Sequence, residues 1–161
     1  MFLSPGLTFA ASTGVVGSAM AAGAMAGFSI SAIPAVLGGG GSPSVMLKQW
    51  WIIYNNGKAV PAVALLSALS YSSVSYSQYA KASPHWRGFA LAGLLTVAAI
   101  PFTMAVLLPV NNELSAAAHS QTKTMSEDRV RGLVTKWSYL NVARLTLPLS
   151  GAIVGLLTLL A

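Results

Sequence analysis

Cysteine is absent from this chain of 161 residues, which excludes disulfides, thiolate metal sites and cysteine nucleophiles. Histidine is almost as scarce: His85 and His119 fall in two different loops, and no His-rich iron or copper site can be built from that spacing. No Gly-rich phosphate loop follows a strand, so a nucleotide cofactor has no evident home. Charged residues make up only 7% of the chain against 55% hydrophobic, and the mean hydropathy is +0.68. That balance falls outside the range of soluble domains and points to an integral membrane protein. Short segments of alternating polarity are missing too, which argues against a β-barrel. The net charge is +6, but no basic stripe interleaved with aromatics accompanies it, so it speaks to topology and not to nucleic acid.

What is there is a set of long apolar runs. Four can be drawn, at residues 6–37, 59–80, 88–110 and 139–161, each long enough for a hydrocarbon core that takes roughly 20 helical residues. The expectation is one transmembrane domain over residues 1–161, an all-α four-helix bundle with short polar loops. MFLSPG lacks the basic start of a signal peptide and the run after it is too long for one, so the first run reads as a membrane helix. It is rich in Gly, Ala and Ser. Gly23 and Gly27 form a small-xxx-small pair suited to close packing inside the bundle, with a homo-oligomer contact as the second reading.

After the flexible LGGGGSPSV, the stretch MLKQWWIIYNNGKAVP places Trp50, Tyr54 and Lys58 four residues apart, on one helix face if the stretch is helical. Pro101 and Pro109 predict a kink in the third helix. Thr124 and Glu127 have capping-box spacing, so the last helix is expected to begin near Met125 and continue past Gly132. On it Val130, Val134, Trp137, Asn141 and Arg144 fall on one stripe. An arginine in an apolar run costs several kcal/mol unless it is paired or solvated.

With four spans, loops 1 and 3 share a side and carry Lys48, Lys58, Lys123, Arg129, Arg131 and Lys136, against Lys81 and Arg87 on the other. The positive-inside rule makes the first side cytoplasmic. Lys58, the Asn111–Asn112 pair, Asn141 and Arg144 lie at that same end, so a polar cleft is expected there.

The motifs IPFTMAVLLPVNNEL (residues 100–114) and WSYLNVAR (residues 137–144), with QWWIIYNNGKAVPA (residues 49–62), resemble the small membrane proteins of the anthrone oxygenase family. The resemblance covers most of the chain. Its specific part is the combination PFT, then P-x-N-x-x-L, then W-x-x-x-N-x-x-R. It implies a membrane-bound enzyme, in an intracellular membrane such as the endoplasmic reticulum, that oxidises an anthrone-type aromatic polyketide to an anthraquinone. Molecular oxygen is then the co-substrate, with no metal or flavin, and membrane lipid surrounds the protein. One departure is that Val110 stands where the family often has Thr before the Asn.

Such chemistry needs a flat apolar site, a base, and positive charge or hydrogen bonds on a developing oxyanion. Arg144 is the expected oxyanion anchor, with Asn141 and Asn112 as hydrogen-bond partners and Lys58 as added charge, or as a base if buried. Trp50, Tyr54, Trp137 and Pro109 are expected to bind the rings. Glu113 and His119 are further base candidates, as is a Tyr54 phenolate. The competing structural readings are interface anchoring for Trp50 and Trp137, helix capping for the Asn pair, snorkelling for Lys58, and an Arg144–Glu113 ion pair. The competing functions are a cyclase or isomerase of a hydrophobic polyketide, and a non-enzymatic membrane scaffold.

Overall fold

The computed structural model describes residues 3–120 and 125–161. Four long helices account for nearly all of them: α1 Pro5–Gly38, α2 Pro43–Ala80, α3 Trp86–His119 and α4 Glu127–Leu160. Each is long and apolar enough to cross a membrane, and the chain is a multi-pass integral membrane protein with an all-α bundle fold. Pro5 and Pro43 open α1 and α2 at the first helical position, where the missing N–H is no loss. Ser126 precedes α4 in extended conformation, its side chain not bonded to the helix. The expected capping box involves Thr124, which lies outside the described residues, as does Lys123 of the basic count. Glu127 and Asp128 occupy the first turn of α4, where the helix dipole favours acids.

The helices exceed what a bilayer needs. At 1.5 Å per residue, the 34 residues of α4 span about 51 Å against a core of about 30 Å. The excess is at the basic end. There the first turns of α2, the last turns of α3 and the start of α4 enclose a core of their own around Met46, Trp50, Leu114, Val130 and Val134, all fully buried. Trp50 and Trp137 belong to this core, at 0% and 3% exposure. The interface-anchor reading fails for both, because neither ring reaches the surface.

The opposite half packs more tightly. Tyr71 of α2 fills the axis, and a Cβ on Gly14 of α1 would come within 2.8 Å of its ring. On the far side a Cβ on Gly155 of α4 would collide with the Tyr71 hydroxyl. These glycines let α1 and α4 close on an aromatic ring, and Tyr71 donates to the Gly151 carbonyl at 3.2 Å. Gly23 and Gly27 behave otherwise. They are exposed, and a Cβ on either would meet nothing, so the close packing expected of them inside the bundle is made by Gly14 and Gly155 instead.

One helix of the bundle bends by 22°. Regular α-helix is interrupted on three of the four: a π turn at Phe28–Ala32, a 3-10 turn at Gly57–Ala59 and a π turn at Thr103–Leu107. Each interruption is followed two residues later by a proline: Pro34, Pro61 and Pro109. Proline has no N–H and its ring collides with the carbonyl four residues back, here Ile30, Gly57 and Ala105, inside the irregular turn in every case. The residue before each proline bonds out of register instead: Ile33 to Phe28, Val60 to Gly57 and Leu108 to Thr103. Pro101 coincides with a further break at Ala98. Helix α4 carries its own Pro148, four residues beyond Arg144.

Candidate active site

The three irregular turns and Arg144 lie at one level of the bundle. They surround a cavity of about 160 Å³ lined by Phe28, Tyr54, Gly57, Lys58, Thr103, Leu107, Asn111, Trp137 and Arg144, with Ile53, Pro61 and Leu108 completing the wall. All four helices contribute. Arg144 is sixteen residues above Leu160 and Thr103 sixteen above Arg87, which sets both about 24 Å from the far end. A hydrocarbon core of about 30 Å measured from that end would reach just past the cavity. π turns recur at functional sites because they open the backbone and re-aim side chains.

Arg144 is half-buried, and its two terminal nitrogens are committed. Nη1 donates to Thr103 Oγ1 at 3.0 Å, and Nη2 donates to Asn141 Oδ1. Its Nε is buried and has no partner among the described residues. Thr103 is held in turn by donating to the Ala99 carbonyl at 2.6 Å. Asn141 is fully buried and donates to the Met25 carbonyl at 2.9 Å and to Ser29 Oγ at 2.8 Å. Asn141 thus fastens α4 to the irregular turn of α1 while orienting the guanidinium.

None of these partners carries a negative charge. The chain has three acidic residues, and all are elsewhere. Glu113 pairs with Arg129 at 2.6 Å and Glu127 with Arg131 at 2.8 Å, while Asp128 is exposed in the first turn of α4. The ion pair considered between Arg144 and Glu113 does not form, since Arg129 stands opposite Glu113 and Arg144 lies four turns deeper.

An aromatic wall closes the basic side. Tyr54 stacks on Trp50 with centroids 5.1 Å apart and planes within 8°, and Trp50 meets Trp137 edge to face at 6.1 Å. Trp137 Nε1 donates to Asn111 Oδ1 at 2.8 Å. Lys58 is exposed, so the burial that a lysine base requires is absent; its Nζ lies 5.2 Å from the ring centroids of both Trp51 and Tyr54.

Of the residues expected at the site, Arg144, Lys58, Tyr54 and Trp137 line the cavity, with Asn141 directly behind Arg144 and Trp50 behind Tyr54. Asn112 and Pro109 are exposed and outside it. Helix phase explains the difference: Leu107, Asn111 and Leu114 form the inward stripe of α3, so Asn111 enters the cavity and Asn112 turns away. His119 is near the tip of the bundle, edge-on to Trp51 at 4.4 Å. It borders a larger depression, with Ser42, Lys48 and Ser120, remote from Arg144. Val110, at the position of the departure from the family pattern, is buried in the protruding core and does not reach the cavity. The sequence pattern places Asn111 at the cleft only as one of a pair with Asn112 and does not point to Phe28 or to Thr103 by itself, although Thr103 and Asn111 stand within the PFT and P-x-N motifs. Among the described residues no group of three or more His, Cys, Asp or Glu is arranged to hold a metal ion.

The family model described as anthrone oxygenase matches residues 50–154, a span holding every cavity residue except Phe28. An anthrone oxygenase of Paecilomyces divaricatus is 35% identical over 153 residues, covering 92% of this chain and 93% of the relative. An anthrone oxygenase of Aspergillus novofumigatus is 34% identical over 149 residues, covering 92% and 91%. A noranthrone monooxygenase of Aspergillus flavus is 30% identical over 140 residues, covering 84% and 66%. No solved structure matches the chain. With Trp137, Asn141 and Arg144 of one motif and Thr103 and Asn111 of the others gathered around a single cavity, and with relatives matched over nearly their full length, the chain belongs to the anthrone oxygenase family.

Proposed function

We propose that this protein oxidises an anthrone-type aromatic polyketide to the corresponding anthraquinone with molecular oxygen, using no bound cofactor. The observation that carries the reading is the Arg144 guanidinium: a half-buried cation at membrane depth, held by two neutral oxygens, with a free Nε and no carboxylate in its cavity. A site of this kind is complementary to an anion that arrives with the substrate. An anthrone supplies one. Losing a proton from the methylene opposite its carbonyl puts negative charge on that oxygen, where Arg144 meets it, and the aromatic enolate is electron-rich enough to react with oxygen directly. Tyr54, Trp137 and Phe28 give the cavity an aromatic lining against which the rings can pack.

The cavity, about 160 Å³, is smaller than the roughly 300 Å³ at which ligand pockets usually begin. Only the reacting edge of a polycycle fits inside it. Its rim residues Lys58, Pro61 and Leu108 are exposed on α2 and α3, so the remaining rings extend outward between these helices. The apolar outer faces, with Leu65, Leu66 and Met104 all largely exposed, set that opening against lipid. The basic end is cytoplasmic, and the membrane is an intracellular one such as the endoplasmic reticulum.

The test is oxygen consumption by the purified protein in lipid nanodiscs supplied with emodin anthrone. One oxygen is expected to disappear per anthraquinone formed, with a rate unchanged by chelators. Undiminished turnover under argon would identify a cyclase or isomerase and overturn the assignment.

A further inference from the structure

We infer that Tyr54 is the proton-transferring catalytic residue of this site. The inference rests on the anthrone reading above and supplies what that reading lacks, a group to take the methylene proton.

The assignment follows from what the cavity contains. Among the described residues that line it, three carry an ionisable side chain: Tyr54, Lys58 and Arg144. Glu113 and Glu127 are engaged by Arg129 and Arg131 at the tip of the bundle, and Asp128 is exposed beside them. His119 lies against Trp51, and His85 immediately precedes α3 at the opposite end. Arginine holds its proton throughout and cannot serve as a base. Lys58 sits 5.2 Å from the centroids of two ring faces, the position an ammonium takes over aromatic rings. Tyr54 remains. Its ring is fixed by stacking on the fully buried Trp50, which is braced edge-on by Trp137, itself bonded to Asn111. A proton-transfer group needs such a fixed position more than it needs strength. Arg144 and Tyr54 line the same cavity, and Lys58 covers the ring. Charge exchanged between substrate and phenol oxygen therefore stays between two cations.

The cycle balances with Tyr54 unchanged. The Tyr54 phenolate takes one methylene proton, and the C–H electron pair moves into the rings to place the enolate oxygen at Arg144. The enolate passes one electron to oxygen, the two radicals combine to form a C–O bond, and the peroxide anion takes the proton back from Tyr54. The phenolate then removes the second proton from the same carbon as the O–O bond breaks, and the departing hydroxide receives that proton to leave as water. One anthrone and one oxygen give one anthraquinone and one water.

The test uses the full chain in nanodiscs, comparing wild type with Tyr54→Phe, which keeps the stacked ring and removes only the hydroxyl. Oxygen uptake at neutral pH should fall about 10²- to 10⁴-fold, the usual contribution of a general base. Quenching of tryptophan fluorescence by emodin should give a Kd within about twofold of wild type, since Arg144 and the aromatic wall are intact. The residual Tyr54→Phe rate should rise about tenfold per pH unit, because hydroxide must then ionise the substrate. Difluorotyrosine at position 54 should shift the acid limb of the wild-type profile downward, an effect that a merely structural hydroxyl does not produce. A Tyr54→Phe protein that keeps wild-type turnover, or that loses emodin binding in proportion to rate, overturns the inference. If wild type binds emodin yet consumes no oxygen with the anthrone, the anthrone reading itself fails, and the role of Tyr54 with it.

Discussion

Replacing Arg144 with methionine preserves the length and apolar stem of the side chain and removes the charge with its donors. In the resting protein the exchange largely cancels. Two charge-assisted hydrogen bonds, to Thr103 and Asn141, are lost at roughly 1.5–3 kcal/mol each. Against this, the cost of a guanidinium in an apolar run, about 2.5–3.5 kcal/mol, is relieved. Thr103 keeps its bond to the Ala99 carbonyl, and Asn141 keeps its donations to Met25 and Ser29, so neither is released. The net loss of stability should stay below about 3.5 kcal/mol. In the transition state there is no such cancellation. A missing oxyanion donor costs about 3–4 kcal/mol, or 10²- to 10³-fold in kcat. Oxygen uptake in nanodiscs reads the rate, and thermal unfolding followed by circular dichroism reads the fold. A folded Arg144→Met protein turning over near the wild-type rate would refute the oxyanion role. A protein that no longer folds would show that the guanidinium acts chiefly as a tie between α3 and α4.

The other expectations concern the support of this group. Asn141→Asp places a carboxylate beside Arg144; the internal ion pair should cut turnover by about 10²-fold or more, by removing the charge that awaits the substrate, measurable with the same uptake assay. Gly155→Ala drives a methyl into Tyr71 and should cost about 1–3 kcal/mol in thermal unfolding, by overpacking, with kcat of the folded fraction unchanged. Pro109→Ala restores an N–H where α3 now has its π turn. It should raise the melting temperature and lower kcat together, as the turn bearing Thr103 and Leu107 relaxes toward regular helix; a higher melting temperature with full activity would mean the turn is incidental to the site.

Much of this arrangement is legible in the sequence because hydropathy and helical phase report different things and both are strong here. Apolar runs locate the four helices. The stripe Val130, Val134, Trp137, Asn141, Arg144 gives the inward face of α4, and the structure places its first four members in the interior with Arg144 half-buried below them. What hydropathy cannot show is how far a helix continues beyond the lipid. The helices run 34 to 38 residues, and the polar residues 55–58 resemble the end of a loop although α2 continues through them. Trp50 therefore looks like an interfacial residue and is the centre of a second core. Adjacent polar residues pose a related problem. Asn111 and Asn112 differ only in phase, and the burial of Leu107 and Leu114 on the same side as Asn111 decides between them. Glu113 and Arg144 are an attractive pair by charge alone. Arg129 is fifteen residues nearer the start of α4, about 22 Å by helical rise, and that offset assigns the carboxylate.

The prolines connect the two levels of description. Taken singly, Pro34, Pro61, Pro109 and Pro148 are ordinary features of membrane helices, whose neighbours can satisfy the backbone groups that proline frees. Taken together they address one layer. Each strikes the carbonyl four residues earlier, and those residues, Ile30, Gly57, Ala105 and Arg144, lie within or beside the segments that supply Phe28, Lys58, Thr103 and the guanidinium to the cavity. Three helices thus leave regular hydrogen bonding, and the fourth loses the bond to the Arg144 carbonyl, at the level where a cation must be held without a counterion. Asn141 shows how the two needs meet: its amide donates to the Met25 carbonyl beside the α1 turn while its oxygen accepts from Arg144. The neutral side-chain oxygens of Thr103, within the α3 turn, and of Asn141, held against the α1 turn, orient the guanidinium without neutralising it. A carboxylate in the same place would hold the arginine more firmly and leave no charge for an enolate.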